Sequence, residues 1–431
     1  MSLAATVTPE LLGTAQRAPA GHMRRLSLSL GTMGASELLN RATRVLTAVC
    51  LAHALTPRDF GLAAVTLTTW ELMRVLTATG LDARILQCSD ESLEQVCRTS
   101  YVLNWALYIV VGTLQLAAAV PVALAYGDLK IAWLLAALAI PYAVYPWVAV
   151  QACRLQREQR THITAGMIAM MISGDNILTA AMALTGCGLW SIVVPKIIVS
   201  LLWVGLYRRL SSWRPQGPID WQGAGRTLRF GATILATEIV NTLRFQGDKL
   251  IVGQMLGLES LGTYYFAFNA GLGIMWGIVN AFAVALLPHF TRTIGASWSR
   301  SDFWRPVLLV SALALPLIVV QTAAAPIYVP LVFGQRWAHA VPVLMLLCLS
   351  GIMMPAWRAL GQFIRSRGAP GVELAINGTY AAVSLGAVAF GARFGLESVA
   401  IAQLGAALVT VPLLTFAALR WLEHRKQGVE S

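Results

Sequence analysis

Residues 36–40 read Ser-Glu-Leu-Leu-Asn inside an otherwise apolar stretch, and residues 237–241 read Thr-Glu-Ile-Val-Asn. A constant offset of 201 residues aligns identical residues, among them Glu37 with Glu238, Asn40 with Asn241, and Gly61 with Gly262. Two similar polar interruptions whose residues are related by one constant offset indicate an internal duplication. We therefore interpret the two stretches as parts of the first helix of each half of a duplicated protein, with the two acidic helices facing each other across a central cavity.

The composition favours a membrane protein. Of the 431 residues, 57% are hydrophobic and 12% are charged, whereas about a quarter of the residues are charged in an ordinary soluble protein. So much apolar surface suits a chain that crosses the membrane many times. The net charge of +12 could indicate a nucleic-acid partner, but no polar domain carries a basic cluster with interleaved aromatics. We therefore predict membrane lipid and no nucleic acid as a partner.

About twelve apolar segments are long enough to cross a hydrocarbon core of ~30 Å as helices. They lie at roughly 28–54, 60–80, 98–125, 130–152, 163–184, 188–207, 228–256, 260–286, 305–328, 341–364, 373–391 and 397–419. The sequence thus predicts an all-α polytopic membrane protein of about 12 transmembrane helices.

The distribution of basic residues predicts the orientation of these helices. If the N-terminus is cytoplasmic, the loops on the opposite side hold only Arg58, Lys130, Arg336 and Arg393, and most other Lys and Arg residues lie inside. Both termini are then cytoplasmic, and the two halves form a parallel repeat. The predicted parts are an N-terminal tail (1–26), a six-helix bundle (27–207), a cytoplasmic linker (208–227), a second six-helix bundle (228–419) and a C-terminal tail (420–431).

Several ionisable residues fall inside the predicted helices, where each costs at least ~2.5 kcal/mol on insertion scales and normally faces a wet interior. One reading is internal ion pairing, for which Glu71 and Arg74 have the right helical spacing. The other is function, with arginines binding phosphate and acids relaying ions. The candidates for binding an anionic cargo are Asn40, Arg41, Arg44, Arg74, Asn241, Arg244 and Lys249. The candidates for coupling H⁺ or Na⁺ are Glu37, Glu71, Asp175 and Glu238.

The sequence carries no signature of an enzyme. The six cysteines are scattered without metal or redox spacing. There is no phosphate-binding glycine-rich loop, no paired-histidine metal site and no Gly-x-Ser-x-Gly elbow. We therefore predict neither a metal nor a cofactor. Uphill movement of a cargo would draw on an ion gradient or on consumption of the product.

Three patches resemble the polysaccharide-transporter family of oligosaccharide flippases. Residues 55–62 read Leu-Thr-Pro-Arg-Asp-Phe-Gly-Leu and continue into a similar patch at 79–87. Residues 248–265 contain Asp-Lys-Leu-Ile-Val-Gly and Leu-Gly-Thr-Tyr-Tyr, and residues 333–337 read Phe-Gly-Gln-Arg-Trp. The order and spacing of these patches are similar to those of the family, although Arg58 stands where the family usually has Glu.

The resemblance implies two six-helix bundles arranged in a V around a central cavity, within the multidrug/oligosaccharidyl-lipid/polysaccharide exporter superfamily. It implies a monomer in the bacterial inner membrane that flips undecaprenyl-diphosphate-linked oligosaccharide to the periplasmic leaflet by alternating access. The product would feed lipopolysaccharide or exopolysaccharide biosynthesis, with a polysaccharide polymerase and a chain-length regulator as partners. The cationic candidates would then offset the charge of the diphosphate.

Two other functions remain open at this point. The first is an ion-coupled exporter of multiple drugs or small amphipathic compounds in the same superfamily. The basic excess in the proposed cavity argues against cationic substrates. The second is a scaffold of a polysaccharide assembly complex that transports nothing.

Overall fold

The computed structural model is helical throughout, which confirms the all-α prediction. It describes residues 39–158, 161–217, 221–292 and 300–430, and no strand occurs in these ranges. The first helix, α1, covers residues 39–54. The following helices are α2 (Pro57–Arg74), α3 (Leu81–Gln87), α4 (Asp90–Tyr126), α5 (Lys130–Ala137), α6 (Ile140–Val144), α7 (Ala149–Arg157), α8 (Thr161–Leu184), α9 (Trp190–Leu210), α10 (Trp221–Arg292), α11 (Arg300–Tyr328), α12 (Val341–Ser350), α13 (Met354–Ser366), α14 (Pro370–Gly391) and α15 (Leu396–Glu430). Glu37 and the predicted N-terminal tail lie outside the described residues.

Eight helical segments of the described chain are long and apolar enough to cross a membrane, judged by length and composition. They are Asp90–Tyr126, Lys130–Trp147, Gly166–Leu184, Trp190–Leu210, Arg300–Phe333, Gln335–Ser366, Gly371–Gly391 and Leu396–Glu423. Each coincides with one of the predicted apolar segments. The prediction of a polytopic membrane protein is therefore confirmed.

The other four predicted segments fall on α1, α2 and the two arms of α10, which are separated by a break at Gly257 (φ 84°, ψ 174°). Although α2 carries charged residues at both ends, it buries the continuous stretch from Phe60 to Thr66. In a membrane protein, helices with polar and charged groups face the protein interior rather than lipid. The buried stretch of α2 therefore packs within the protein rather than against lipid.

A pair of glycines brings α2 into direct contact with α10. A Cβ atom at Gly61 would overlap the carbonyl group of Leu258, and a Cβ atom at Gly262 would overlap that of Pro57. The offset of 201 residues that relates Gly61 to Gly262 also relates Pro57 to Leu258. The contact is therefore reciprocal, made twice by equivalent positions of the repeat. Glycine permits it because two helix backbones approach this closely only where side chains are absent.

An aromatic clasp, formed by Phe60, Phe266, Phe333 and Trp337, surrounds this reciprocal glycine contact. Trp337 is fully buried, stacks on Phe266 at a centroid distance of 4.1 Å and meets Phe60 edge-on at 4.8 Å. Its indole Nε1–H donates a hydrogen bond to the carbonyl oxygen of Ala52 at 3.0 Å. The clasp therefore joins α1 and α2 of the N-terminal half to the C-terminal half.

The start of α2 and the aromatic clasp explain the sequence patches at 55–62 and 333–337. Thr56 and Asp59 form a capping box, in which each side chain accepts a hydrogen bond from the backbone N–H of the other. Pro57 fills the first turn of α2, where its missing N–H costs nothing. The first patch thus starts α2, and the second supplies the tryptophan that packs on it.

The connections between the helices were predicted less completely. Residues 211–217 are non-helical and fall within the predicted linker 208–227, but α10 already begins at Trp221. The sequence did not predict the short helices α3 and α7, which pack against each other beside α4. The limits of the two predicted bundles remain predictions.

We expect Gly61→Ala and Gly262→Ala each to lower the free energy of unfolding by about 1–3 kcal/mol, the usual cost of inserting atoms into a packed contact. The measurement is the thermal unfolding midpoint of the purified protein in detergent. Gly205→Ala is the matched control, because a Cβ atom there meets nothing. Equal thermal unfolding midpoints for all three variants would show that α2 and α10 can move apart at this contact at little cost in free energy.

Candidate functional site

A cavity of about 340 Å³ lies between α2 and α10, and we call it the central cavity. Four charged side chains from four helices line it: Arg44 of α1, Glu71 of α2, Lys196 of α9 and Lys249 of α10. Three of the four are basic, so the lining favours an anionic group. Of the predicted candidates, the structure brings Arg44, Glu71 and Lys249 together here.

Arg44 is the basic group of this cavity that is most available to a ligand. Its side chain is exposed, and it forms no ion pair with any carboxylate that the structure describes. By contrast, Lys196 donates to Asp175 Oδ2 at 2.8 Å. An arginine without a competing carboxylate keeps its planar set of donors free for bidentate binding of an anion.

Lys249 lies in the wall of the central cavity as half of a buried pair. Its Nζ is 3.4 Å from Asp248 Oδ1, and both side chains are less than 5% exposed. The Lys249 ammonium group also donates to the carbonyl oxygen of Phe245 and lies 4.4 Å from the centroid of the Phe268 ring. Asp248 Oδ2 accepts a hydrogen bond from the Tyr264 hydroxyl at 2.7 Å. The charge of Lys249 is thus balanced within the protein.

A larger cavity of about 830 Å³ adjoins the central cavity within the N-terminal half, and we call it the N-half cavity. Trp70, Glu71 and Lys196 line both cavities. Arg74 is at the N-half cavity and is held by Glu71, with Nη2 and Nε 2.6 and 3.0 Å from the same Oε2 atom. The ion pair suggested by the helical spacing of these two residues is therefore formed. Asp175, paired with Lys196, also lines this cavity.

Aromatic side chains form much of the lining of the N-half cavity, and the sequence did not single them out. They are Trp70, Tyr108, Tyr142, Tyr145, Trp203 and Tyr207. The spacing of the tyrosines in Tyr142-Ala-Val-Tyr145-Pro-Trp147 was a usable signal, because a prolyl break beside two aromatics one helical turn apart is unusual for a lipid-facing segment.

Two predicted candidates lie in the C-terminal half and do not line the central cavity. Arg244 is surrounded by the rings of Phe245, Tyr380 and Trp357, whose centroids lie 3.8, 5.1 and 5.6 Å from its Cζ atom. Arg244 lines two small cavities of about 50 and 60 Å³, and Asn241 lines the first of them. Cation–π contacts hold this guanidinium in place.

Three further candidates, Asn40, Arg41 and Glu238, line none of these four cavities. The Asn40 side chain accepts a hydrogen bond from Ser173 Oγ at 2.7 Å, which ties α1 to α8. Arg41 is half-buried on the same helix. Glu238 is half-buried as well and interacts electrostatically with Arg358. Glu37 lies outside the described residues.

The chain is similar in sequence to known proteins. The chain matches the family described as polysaccharide biosynthesis proteins over residues 50–342. It is 25% identical over 382 residues to the succinoglycan biosynthesis transport protein of Rhizobium meliloti, covering 88% of this chain and 76% of the relative. It is 23% identical over 337 residues to the lipopolysaccharide biosynthesis protein WzxC of Escherichia coli, covering 76% of this chain and 67% of the relative.

Two solved structures are similar to the chain in fold. The lipid II flippase MurJ in an inward closed conformation aligns with a TM-score of 0.72 at 13% identity, over 90% of this chain and 87% of that one. An inward-facing multidrug resistance MATE family transporter of the MOP superfamily aligns with a TM-score of 0.66 at 13% identity, over 91% and 96%. The fold implied by the sequence resemblance, that of this exporter superfamily, is confirmed.

We expect Asp248→Asn and Lys249→Met each to lower the free energy of unfolding by about 3 kcal/mol or more, because each leaves one buried charge without its partner. The double variant should recover part of this loss, which a double-mutant cycle of thermal unfolding would detect. Arg44→Gln is the contrasting variant, with an expected change within about 0.5 kcal/mol, as for an exposed side chain. Additive losses in the double variant would show that the pair is not coupled.

Proposed function

Because the chain belongs to the polysaccharide biosynthesis protein family, we propose that it flips undecaprenyl-diphosphate-linked oligosaccharide repeat units from the cytoplasmic to the periplasmic leaflet of a bacterial inner membrane. The observation that carries the proposal is a pair of adjoining cavities inside a membrane-spanning fold. The central cavity has mostly basic charged groups, and the larger N-half cavity has six aromatic rings and more carboxylates than basic groups. A lipid-linked saccharide has an anionic diphosphate next to a sugar chain. The two linings match these two chemical parts.

In this proposal, Arg44 binds the diphosphate in the central cavity. It supplies a guanidinium group that no described carboxylate neutralises, and guanidinium–phosphate pairs are among the strongest polar contacts in proteins. The prenyl chain stays in the lipid, since it gains nothing from leaving an apolar solvent. Arg41, Arg74, Asn40, Asn241, Arg244 and Lys249 stay predicted contributors to cargo binding, and of these Lys249 also lines the central cavity.

The protein acts as a transporter rather than an enzyme, and the name of its Rhizobium meliloti relative, a transport protein, supports this role. Two energy sources fit the proposal. One is a gradient of H⁺ or Na⁺, for which Glu71 and Asp175 are the better placed acids because both line the N-half cavity; Glu37 and Glu238 are the other candidates. The other is consumption of the flipped product by a polymerase acting with a chain-length regulator. In this proposal the protein is a monomer, and both of its termini lie in the cytoplasm.

We expect Arg44→Gln to slow flipping by about ten-fold or more, since a hydrogen bond to a charged group contributes about 1.5–3 kcal/mol. Arg44→Lys should retain part of the activity because it keeps the charge and loses the bidentate geometry. The measurement is the amount of lipid-linked repeat unit in each leaflet of a deletion strain that expresses each variant.

Arg393→Gln is the matched control, because it makes the same substitution at an exposed residue in a predicted outer loop. Undiminished flipping by Arg44→Gln would remove the assigned role of Arg44. If the deletion strain made normal surface polysaccharide and instead became sensitive to amphipathic drugs, the flippase proposal would be wrong and the exporter alternative would replace it.

A further inference from the structure

Several residues that line the N-half cavity have buried polar atoms without a hydrogen-bond partner in the described part of the chain. Four such atoms belong to residues that line it: Trp70 Nε1, Thr79 Oγ1, Asn104 Nδ2 and Asp175 Oδ1. Asn104 is only 4% exposed and Thr79 only 8%. A buried polar group without a partner costs about 1–3 kcal/mol, so buried polar groups in proteins are nearly always paired. Four unpaired groups around one cavity indicate that something polar pairs with them.

The chemistry of these four atoms suits a ligand rich in hydroxyl groups. The indole N–H and the amide NH₂ are donors, the carboxylate oxygen is an acceptor, and the threonine hydroxyl can be either. A hydroxyl group both donates and accepts, so a ligand rich in hydroxyl groups can satisfy both kinds of partner. Asp175 is well prepared to accept, because the bond from Lys196 Nζ to its Oδ2 atom at 2.8 Å fixes the carboxylate and leaves Oδ1 unpaired.

The aromatic lining adds the second element of saccharide recognition. The ring of Tyr108 lies 6.2 Å from that of Tyr142 and 6.4 Å from that of Tyr145, in tilted and edge-on arrangements. Trp203 and Tyr207 form a further pair at 4.6 Å. Rings provide flat apolar surfaces for the C–H faces of sugars, while their polar ends serve hydroxyl groups. The volume of about 830 Å³ lies within the ~300–1,000 Å³ of pockets for drug-sized ligands.

The two cavities differ in the charged groups that line them. The N-half cavity is lined by three carboxylates, those of Glu71, Asp82 and Asp175, and by two basic groups, Arg74 and Lys196. The central cavity has three basic groups and one carboxylate. An anionic diphosphate is therefore favoured in the central cavity, and the N-half cavity suits the part of the cargo that is not phosphate.

We propose that the N-half cavity is a saccharide-binding site that holds the sugar part of the lipid-linked cargo. Trp70, Thr79, Asn104 and Asp175 hydrogen-bond its hydroxyl groups, and the tyrosines pack on its rings. The inference rests on the proposed flippase function and adds to it a specificity site distinct from the diphosphate site. Because the two cavities share Trp70, Glu71 and Lys196, one cargo molecule occupies both.

The test compares two probes on the purified full-length protein in lipid nanodiscs. One probe is the undecaprenyl-diphosphate oligosaccharide extracted from a deletion strain of the source bacterium, and the other is undecaprenyl diphosphate without sugar. Asn104→Leu replaces the amide by an apolar group with the same number of heavy atoms and the same branching, and Tyr108→Ala removes one ring. We expect each variant to weaken binding of the glycolipid by about five-fold or more and to leave binding of the sugar-free lipid within about two-fold. Arg44→Gln should weaken binding of both probes.

Two controls accompany these variants. Thr113→Val changes an exposed polar residue of the same helix, α4, and Phe390→Ala removes an exposed ring in the C-terminal half; neither should alter binding of either probe. Thermal unfolding identifies any variant that does not fold. Asn104→Leu and Tyr108→Ala are independent, so either one that folds decides the question.

The possible failures are distinguishable. If the unmodified protein binds both probes equally, or if both site variants bind the glycolipid normally, the saccharide site is wrong while the diphosphate site stands. Equal weakening of both probes by the site variants would also overturn it, because the cavity would then not be specific for sugar. If the unmodified protein binds neither probe, the proposed flippase function is wrong and the saccharide site falls with it.

Discussion

The reciprocal contact of Gly61 and Gly262 is the constraint on which the arrangement of the inner helices depends. Lipid supplies no hydrophobic drive for helices to associate, so close approach of small residues must hold them together. A third close approach, of Gly231 to the backbone of Thr79, places the segment that follows α2 against α10. Trp70 and Glu71, which line the central cavity, lie between these two contacts along the chain.

Much of this fold could be predicted from the sequence because the membrane imposes a length on each helix. The apolar segments gave the helices, and the polar repeat located the duplication. The offset that first aligned Glu37 with Glu238 also relates the two glycines that touch across the halves. The short helices α3 and α7 escaped prediction because they do not span the membrane, so no length or hydropathy rule applies to them.

The candidate site was predicted only in part, because pairing between helices cannot be read from spacing along one helix. The Glu71–Arg74 pair follows from helical spacing. The pair of Asp175 with Lys196 joins α8 to α9, and the aromatic surroundings of Arg244 draw on α13 and α14. The tyrosines of the N-half cavity were missed for the same reason, since their common surface exists only after α4, α6 and α9 have packed.

Helix α2 contributes residues both to the contact between the two halves and to the two cavities. This single helix carries Gly61 in the glycine contact and Phe60 in the aromatic clasp, and the Glu71–Arg74 pair lies about three turns further along. A rigid helix cannot tilt away from α10 at one end without displacing the other. The clasp is apolar apart from the Trp337 hydrogen bond, so parting it exposes rings but separates no buried ion pair. Opening the predicted outer side would therefore move Glu71 and Trp70, two of the three residues shared by both cavities, in the same step.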